Sequence, residues 1–240
     1  MTIAGSHSRV IAIDGPAASG KSSVGRALAG RVGAIFLDTG LLYRAVTAEA
    51  LERGISPTDG QSLTQLANAL DLRIAPASVG DGRAHDVLVD GEDVTGTLRA
   101  PEIDANVSAV SEHQGVRDAL LPIQRRIADG GKVIMVGRDI ASVVVPDAGL
   151  KIYLDAGPEI RARRRFLELE KKGVETTYDE VLGDLLRRDE IDSTREIAPL
   201  QQARGAIILD TDHLSESEVI DRIETLVLRS WGPLEQARDD

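Results

Sequence analysis

The sequence predicts an α/β protein built on a parallel sheet, and two observations carry that prediction. Five short runs of apolar, largely β-branched residues recur along the chain: Val10–Ile13, Ala34–Leu37, Val133–Val136, Ile152–Leu154 and Ala206–Leu209. Each shows little polar alternation, as strands covered on both faces do. Amphipathic stretches at 21–32, 41–53, 115–129 and 215–229 alternate with them, the pattern of helices packed on a parallel sheet.

Two stretches break the alternation. About 95 residues separate the second strand from the third, too many for one crossover helix. Within them Asp71–Pro76 and His85–Val94 read as short strands joined by the turn-rich Ser78-Val79-Gly80-Asp81-Gly82. Residues 72–100 therefore read as a small antiparallel insert. The second break, 158–197, is helical and crowded with charge, with Arg161, Arg163, Arg164, Arg165, Arg187, Arg188 and Arg195. It reads as a mobile lid. The core is then 9–60, 101–157 and 198–230, with flexible ends at 1–8 and 232–240.

Composition narrows the function. The 240 residues suit one large domain with small insertions, large enough to form a core without disulfides or metal. Lys plus Arg number 28 against 39 Asp plus Glu, a net charge of −11. That balance, with 2% aromatic residues, argues against a nucleic-acid polymer or a membrane surface as partner. Arg accounts for 23 of the 28 cations, and Arg is the better fork for phosphate and carboxylate. The absence of Cys excludes a thiolate metal site and a Cys nucleophile. The four His, at 7, 85, 113 and 213, share no spacing and read as structural. No apolar run reaches the ~18 residues of a membrane span, and the first eight residues carry no leader pattern. A cytoplasmic protein is expected.

One motif fixes the chemistry. Gly15-Pro16-Ala17-Ala18-Ser19-Gly20-Lys21-Ser22 satisfies G-x-x-x-x-G-K-[ST] between a strand and a helix. Glycines let backbone N–H groups close around a phosphate, and the helix N-terminus adds its positive end. Lys21 would reach the β- and γ-phosphates of a nucleoside triphosphate, and the Ser22 hydroxyl would ligate Mg2+. Ser23 continues the site, and Asp14 beside the loop is a further candidate for the metal.

Three clusters follow strand ends, where ligands collect on open α/β sheets. They are Asp38-Thr39-Gly40 with Tyr43-Arg44, Gly137-Arg138-Asp139, and the segment Arg188 to Arg195. Each joins Arg to Asp or Thr, which suits a phosphate beside a sugar hydroxyl or exocyclic amine. A second phosphorylated nucleoside is a natural acceptor. Asp38 and Thr39 also suit a helix cap, Arg138-Asp139 a surface ion pair, and the 161–165 run a solvated face paired with Glu159, Glu168 and Glu170.

IDGPAASGKSSVGRALA, DTGLLYRA, GEDVTGTLR, VRDALLPIQR, GRDIASVVVPDAGLKIYLDA and the R-D-x-x-D-x-x-R run ending REIAPL occur in order from about residue 9 to 229. Together they resemble bacterial cytidylate kinases. The resemblance implies a P-loop NTPase-type five-stranded parallel sheet flanked by helices. It also implies an antiparallel β insert in the monophosphate-binding region and a helical lid. It implies Mg2+-assisted transfer of the γ-phosphate of ATP to CMP, with dCMP a second acceptor, by a monomer. By motif position, Ser108, Arg117 and Asp139 would meet the cytosine, and Thr39 would line the monophosphate site. Arg44 and Arg138 would hold the monophosphate, Arg188 and Asp192 the sugar side, and Arg195 would reach the transferring phosphate, with Arg44, Arg138, Arg188 and Arg195 together surrounding the acceptor phosphate and the transferring group. Lys21, Arg138, Arg188 and Arg195 would carry the catalysis.

The chain departs from the family at Val136, where many members carry Asp or Glu, and at Ala141-Ser142, where Gly-Thr is common. Asp14 could carry part of the missing acid's load. A related kinase for UMP, AMP or a shikimate-like acceptor stays open, as does a nucleotide-binding regulatory protein.

Overall fold

The computed structural model describes residues 7–231. A five-stranded, all-parallel sheet lies at its centre in the order β2-β6-β1-β7-β8: β1 Val10–Asp14, β2 Ile35–Asp38, β6 Val133–Gly137, β7 Leu150–Asp155 and β8 Ile207–Asp210. A separate antiparallel sheet holds β3 Leu72–Pro76, β4 His85–Val89 and β5 Glu92–Asp93. The helices are α1 Lys21–Val32, α2 Gly40–Glu52, α3 Gly60–Ala69, α4 Pro101–Glu112, α5 Gln114–Ala128, α6 Pro158–Lys171, α7 Tyr178–Thr194 and α8 Glu216–Trp231.

The central strand β1 is buried at all five residues, and its side chains alternate between two helical layers. Ile11 and Ile13 join Val24 and Leu28 of α1 and Val219 and Ile223 of α8. Val10 and Ala12 join Leu37, Met135 and Ala128 on the opposite face. A third cluster knits α2 to α3, α4, α5 and the small sheet through Leu42, Leu63, Val87, Val107 and Leu120.

The outer strands differ from the buried reading of their sequences. Ile35 of β2 and Ile207 and Ile208 of β8 are exposed, because both strands lie at sheet edges with a partner on one side only. The insert also carries a third strand, β5. Helices α3 and α4 open with local signals the apolar pattern hides. Asp59 caps α3 by accepting the Ser62 N–H at 3.1 Å, and Pro101 opens α4 with Glu102 and Asp104 in its first turn. Of the ends read as flexible, residues 1–6 and 232–240 lie outside the described residues. His7 is held: its carbonyl accepts the Gly149 N–H at 3.0 Å, and its ring meets Asp147 at 2.7 Å.

Asp14 ends β1, and both its carboxylate oxygens are engaged. They accept the N–H groups of Ile140 and Ala141, each at 2.8 Å. These open a π-helical turn, Ile140–Val144, that follows β6. Burial pushes the Asp14 carboxyl up to about 6, against the pull of those two N–H groups. Asp14 is thus a tie between two strand ends. Replacement Asp14→Ala would strand two buried donors. It is expected to lower unfolding free energy by roughly 2–4 kcal/mol in a urea titration, with an unchanged Mg2+ requirement in whatever protein stays folded.

Candidate active site

All five strands of the parallel sheet end at one edge, so the segments after them meet in one place. They line a cleft of about 960 Å3. The phosphate loop, 15–22, forms one wall between β1 and α1. Gly15 is required there by contact: a Cβ on it would lie 2.1 Å from the Leu154 carbonyl oxygen of β7. Gly20 takes φ +91° to turn the chain into α1. Pro16, Ala17 and Ser19 are buried, Ala18 adopts φ +58°, and the Ser23 hydroxyl donates to the Gly20 carbonyl at 3.1 Å.

Lys21 is buried, and its ammonium donates to the Pro16 carbonyl at 2.5 Å and to Ser19 Oγ at 3.2 Å. Burial, then the Arg138 charge, holds its pKa well below the ordinary lysine range. A cation so placed gains strongly from an incoming anion. The Ser22 hydroxyl donates to Asp38 Oδ2 at 2.7 Å. Asp38 pairs in register with Val136 across β2 and β6. Val136 itself is buried in the apolar layer, and a Cβ on Gly25 of α1 would meet its Cγ1 at 2.8 Å. Thr39 does not cap α2 with its side chain; its hydroxyl donates to the Val136 carbonyl at 2.9 Å, and Asp38 Oδ1 accepts the Gly40 N–H.

The opposite end of the cleft is built from arginines and carboxylates. Thr39, Arg44, Ser108, Arg117, Arg138 and Asp139 line it, together with Arg188, Asp192 and Arg195. Arg138 Nε donates to Asp192 Oδ2 at 2.7 Å. Burial opposes both charges, but each partner's field prevails, raising the Arg138 pKa and lowering that of Asp192. Arg117 pairs with Asp139, donates to the Ser111 carbonyl at 3.1 Å and lies over the Tyr43 ring with Cζ 5.5 Å from its centre. Arg195 donates to Ser111 Oγ at 3.0 Å and to the Ala198 carbonyl at 2.8 Å, and its Nη2 has no hydrogen-bond partner although buried. Ser108 is buried one turn before Ser111 on α4.

The 161–165 run is largely not a solvated face; Arg163 alone of its four arginines is exposed. Arg161 donates to the Ala17 carbonyl of the phosphate loop at 3.1 Å and pairs with Asp189 at 2.6 Å. Arg164 reaches Thr211 after β8, and Arg165 reaches Asp104 at 2.7 Å. Sequence reasoning passed over Asp104. Its signal was an acid in a helix's first turn, a position that a dipole role already explains.

A phosphate loop facing an arginine-lined pocket across one cleft defines a phosphate-loop kinase. The family described as "Cytidylate kinase" matches residues 11–229. A cytidylate kinase of Herpetosiphon aurantiacus is 48% identical over 217 residues, 90% of this chain and 93% of that protein. One of Geobacter sulfurreducens is 45% identical over 227 residues, 95% and 96% of the two chains. The chain belongs to the cytidylate kinase family, nucleoside monophosphate kinases.

The Arg117–Asp139 pair yields a test of this geometry. Burial raises the Asp139 pKa, with Arg117, Arg195 and Arg138 opposing it. Arg117→Ala removes the largest opposing charge, so the folded-state pKa rises further above the unfolded value of about 3.9. Destabilisation of roughly 3–5 kcal/mol is expected at neutral pH. It should shrink as the pH falls through the raised folded pKa, where the folded carboxyl takes up its proton first. Chemical denaturation at pH 8 and pH 5.5 reads the difference.

Proposed function

We propose that this protein transfers the γ-phosphate of ATP to CMP, and to dCMP, in the cytoplasm where both nucleotides are found. The supporting observation is that the phosphate loop and the Arg117–Asp139 pair face one cleft. Residues 15–23 hold the donor. The Lys21 ammonium, now on the loop's own oxygens, turns to the donor phosphates. Thr39, Arg44, Arg138 and Arg188 hold the acceptor's phosphate, Asp192 serves the sugar side, and Arg195 faces the transferring group. Ser108, Arg117 and Asp139 read the base. Cytosine presents an amine to a carboxylate such as Asp139, whereas uracil presents a carbonyl and leaves that acceptor without a donor.

The oxygen set of Ser22 and Asp38 fits a hard divalent cation, and we assign the Mg2+ of the donor complex to them. When bound, Mg2+ neutralises charge on the donor phosphates. Asp38 holds the Ser22 hydroxyl in position for it. The acceptor's phosphate oxygen is already ionised at neutral pH, so no general base is needed. Catalysis rests on alignment and on charge placed around the transferring group. Residues 72–100 act as the monophosphate-binding insert and 158–197 as the lid over the core segments 9–60, 101–157 and 198–230, and closure excludes water. A monomer is the state that the family resemblance implies.

A coupled ADP-release assay with ATP, Mg2+ and CMP, dCMP, UMP, AMP or GMP tests the reading. Strong CMP and dCMP signals with weak UMP are expected, and Lys21→Met should abolish transfer with the fold intact by circular dichroism. A folded wild type releasing no acceptor-dependent ADP would sink the proposal. Asp38→Asn tests the metal assignment: the Mg2+ needed for half-maximal turnover should rise about 10-fold or more. Manganese binding followed by electron paramagnetic resonance, with ATP present, should weaken in parallel. An unchanged metal affinity would remove Asp38 from that role.

A further inference from the structure

Asp104 stands in the first turn of α4 and lines the acceptor end of the cleft. Its Oδ1 pairs with Arg44 Nη2 and lies 3.5 Å from Arg188 Nη1, and its Oδ2 accepts from Arg165 Nη2 at 2.7 Å. These arginines come from α2, α7 and α6, so one carboxylate ties three helices together at a point.

The neighbouring carboxylates are committed elsewhere. Asp192 holds Arg138, Asp189 holds Arg161, and Asp139 holds Arg117. Arg188 remains short of negative charge. Its Nε is buried without a hydrogen-bond partner. Burial and the charges of Arg138 and Arg44 lower its pKa to about 10. Burial works against the Asp104 charge, yet Arg44 and Arg188 outweigh it and hold the carboxyl below its ordinary range. Asp104 is therefore ionised where Arg44 and Arg188 converge.

We infer that Asp104 is a built-in counter-ion that occupies the acceptor phosphate's arginines, Arg44 and Arg188, and competes with that phosphate for them. The inference rests on the reading of this end of the cleft as the acceptor's phosphate site. A carboxylate and a phosphate present similar oxygen pairs to a guanidinium fork. The carboxylate brings one charge and two oxygens; a phosphate monoester dianion brings two charges and three terminal oxygens. Phosphate wins the exchange, but the affinity it shows is reduced by the contacts it displaces. Arg165, bonded to Asp104 from the other side, shares the carboxylate and weakens its hold on Arg44 and Arg188. After transfer, recapture of the arginines by Asp104 favours product departure. Asp104 touches no reacting atom in this scheme; it sets affinity, and only for ligands that carry phosphate.

Calorimetric titration of the full chain with CMP, cytidine and inorganic phosphate separates this from a structural role. Asp104→Asn keeps the side chain's shape and removes its charge. It should bind CMP and inorganic phosphate about 3- to 10-fold more tightly, with cytidine affinity unchanged. The KM for CMP should fall by a similar factor without a rise in kcat. Arg165→Gln leaves the Asp104 charge wholly to Arg44 and Arg188, and CMP should bind about 2- to 5-fold more weakly. Unchanged or weaker CMP binding by Asp104→Asn would overturn the inference, as would equal shifts for CMP and cytidine. If Asp104→Asn does not fold, wild-type CMP affinity in Arg165→Gln overturns it alone. A wild type that binds inorganic phosphate but not CMP would defeat the cytidylate reading, and the inorganic phosphate titrations would then decide Asp104.

Discussion

The structure depends on keeping a crowd of guanidinium groups beside one another in a half-buried cleft. Arg44, Arg117, Arg138, Arg161, Arg165, Arg188 and Arg195 each face a carboxylate: Asp104, Asp139, Asp189 or Asp192. Buried ion pairs add little net stability, because desolvation offsets their attraction. They fix position instead. Breaking one strands a charge, so α4, α7 and the turn after β6 must stand where their carboxylates meet the arginines. The apolar layers on β1 supply the stability that permits this. The net charge of −11 is a sum over the whole chain and says little about the cleft, where cations gather.

A parallel sheet sets equivalent positions of neighbouring strands side by side. Val136 and Asp38 are register partners on adjacent strands. Both therefore stand at the same height above the sheet, beside the first turns of α1. Val136 turns into the apolar layer against Gly25, while Asp38 reaches Ser22. Neighbouring parallel strands present equivalent positions to a ligand at their carboxyl ends.

Much of this was legible in the sequence. The β1–loop–α1 unit combines an apolar run, an obligatory glycine pattern and a helix start, all within about fifteen residues, and local chemistry dictates each. The five parallel strands were readable as apolar runs. Their exposure was not, because edge position at β2 and β8 depends on strand order, which no local pattern encodes. Thr39 and Arg138 stood out through their place after strand ends. The tie made by Asp14 was hidden for a related reason: lying next to the phosphate loop in sequence, it bonds to Ile140 and Ala141, more than a hundred residues away. Asp104 and Arg165 were invisible as a pair because each has a sufficient local reading, a helix-dipole acid and a charged helix face. Only the packing of α4 against α7, with α6 beside α7, brings them together.

That packing also ties the two ends of the cleft to each other. Ala17 of the phosphate loop lies in an apolar cluster with Ala162 of α6 and Val181 and Leu185 of α7, and Arg161 donates to the Ala17 carbonyl. The same helices carry Arg165, Arg188 and Asp192 to the opposite end of the cleft. The phosphate loop and the arginines at the far end of the cleft are therefore parts of one packed wall. A shift of α6 and α7 large enough to reposition Arg188 must either carry the Ala17 contact with it or break a buried hydrogen bond. Interiors packed this closely move between discrete arrangements rather than deforming smoothly. The placement of the phosphate loop relative to those arginines is then a property of the wall as a whole.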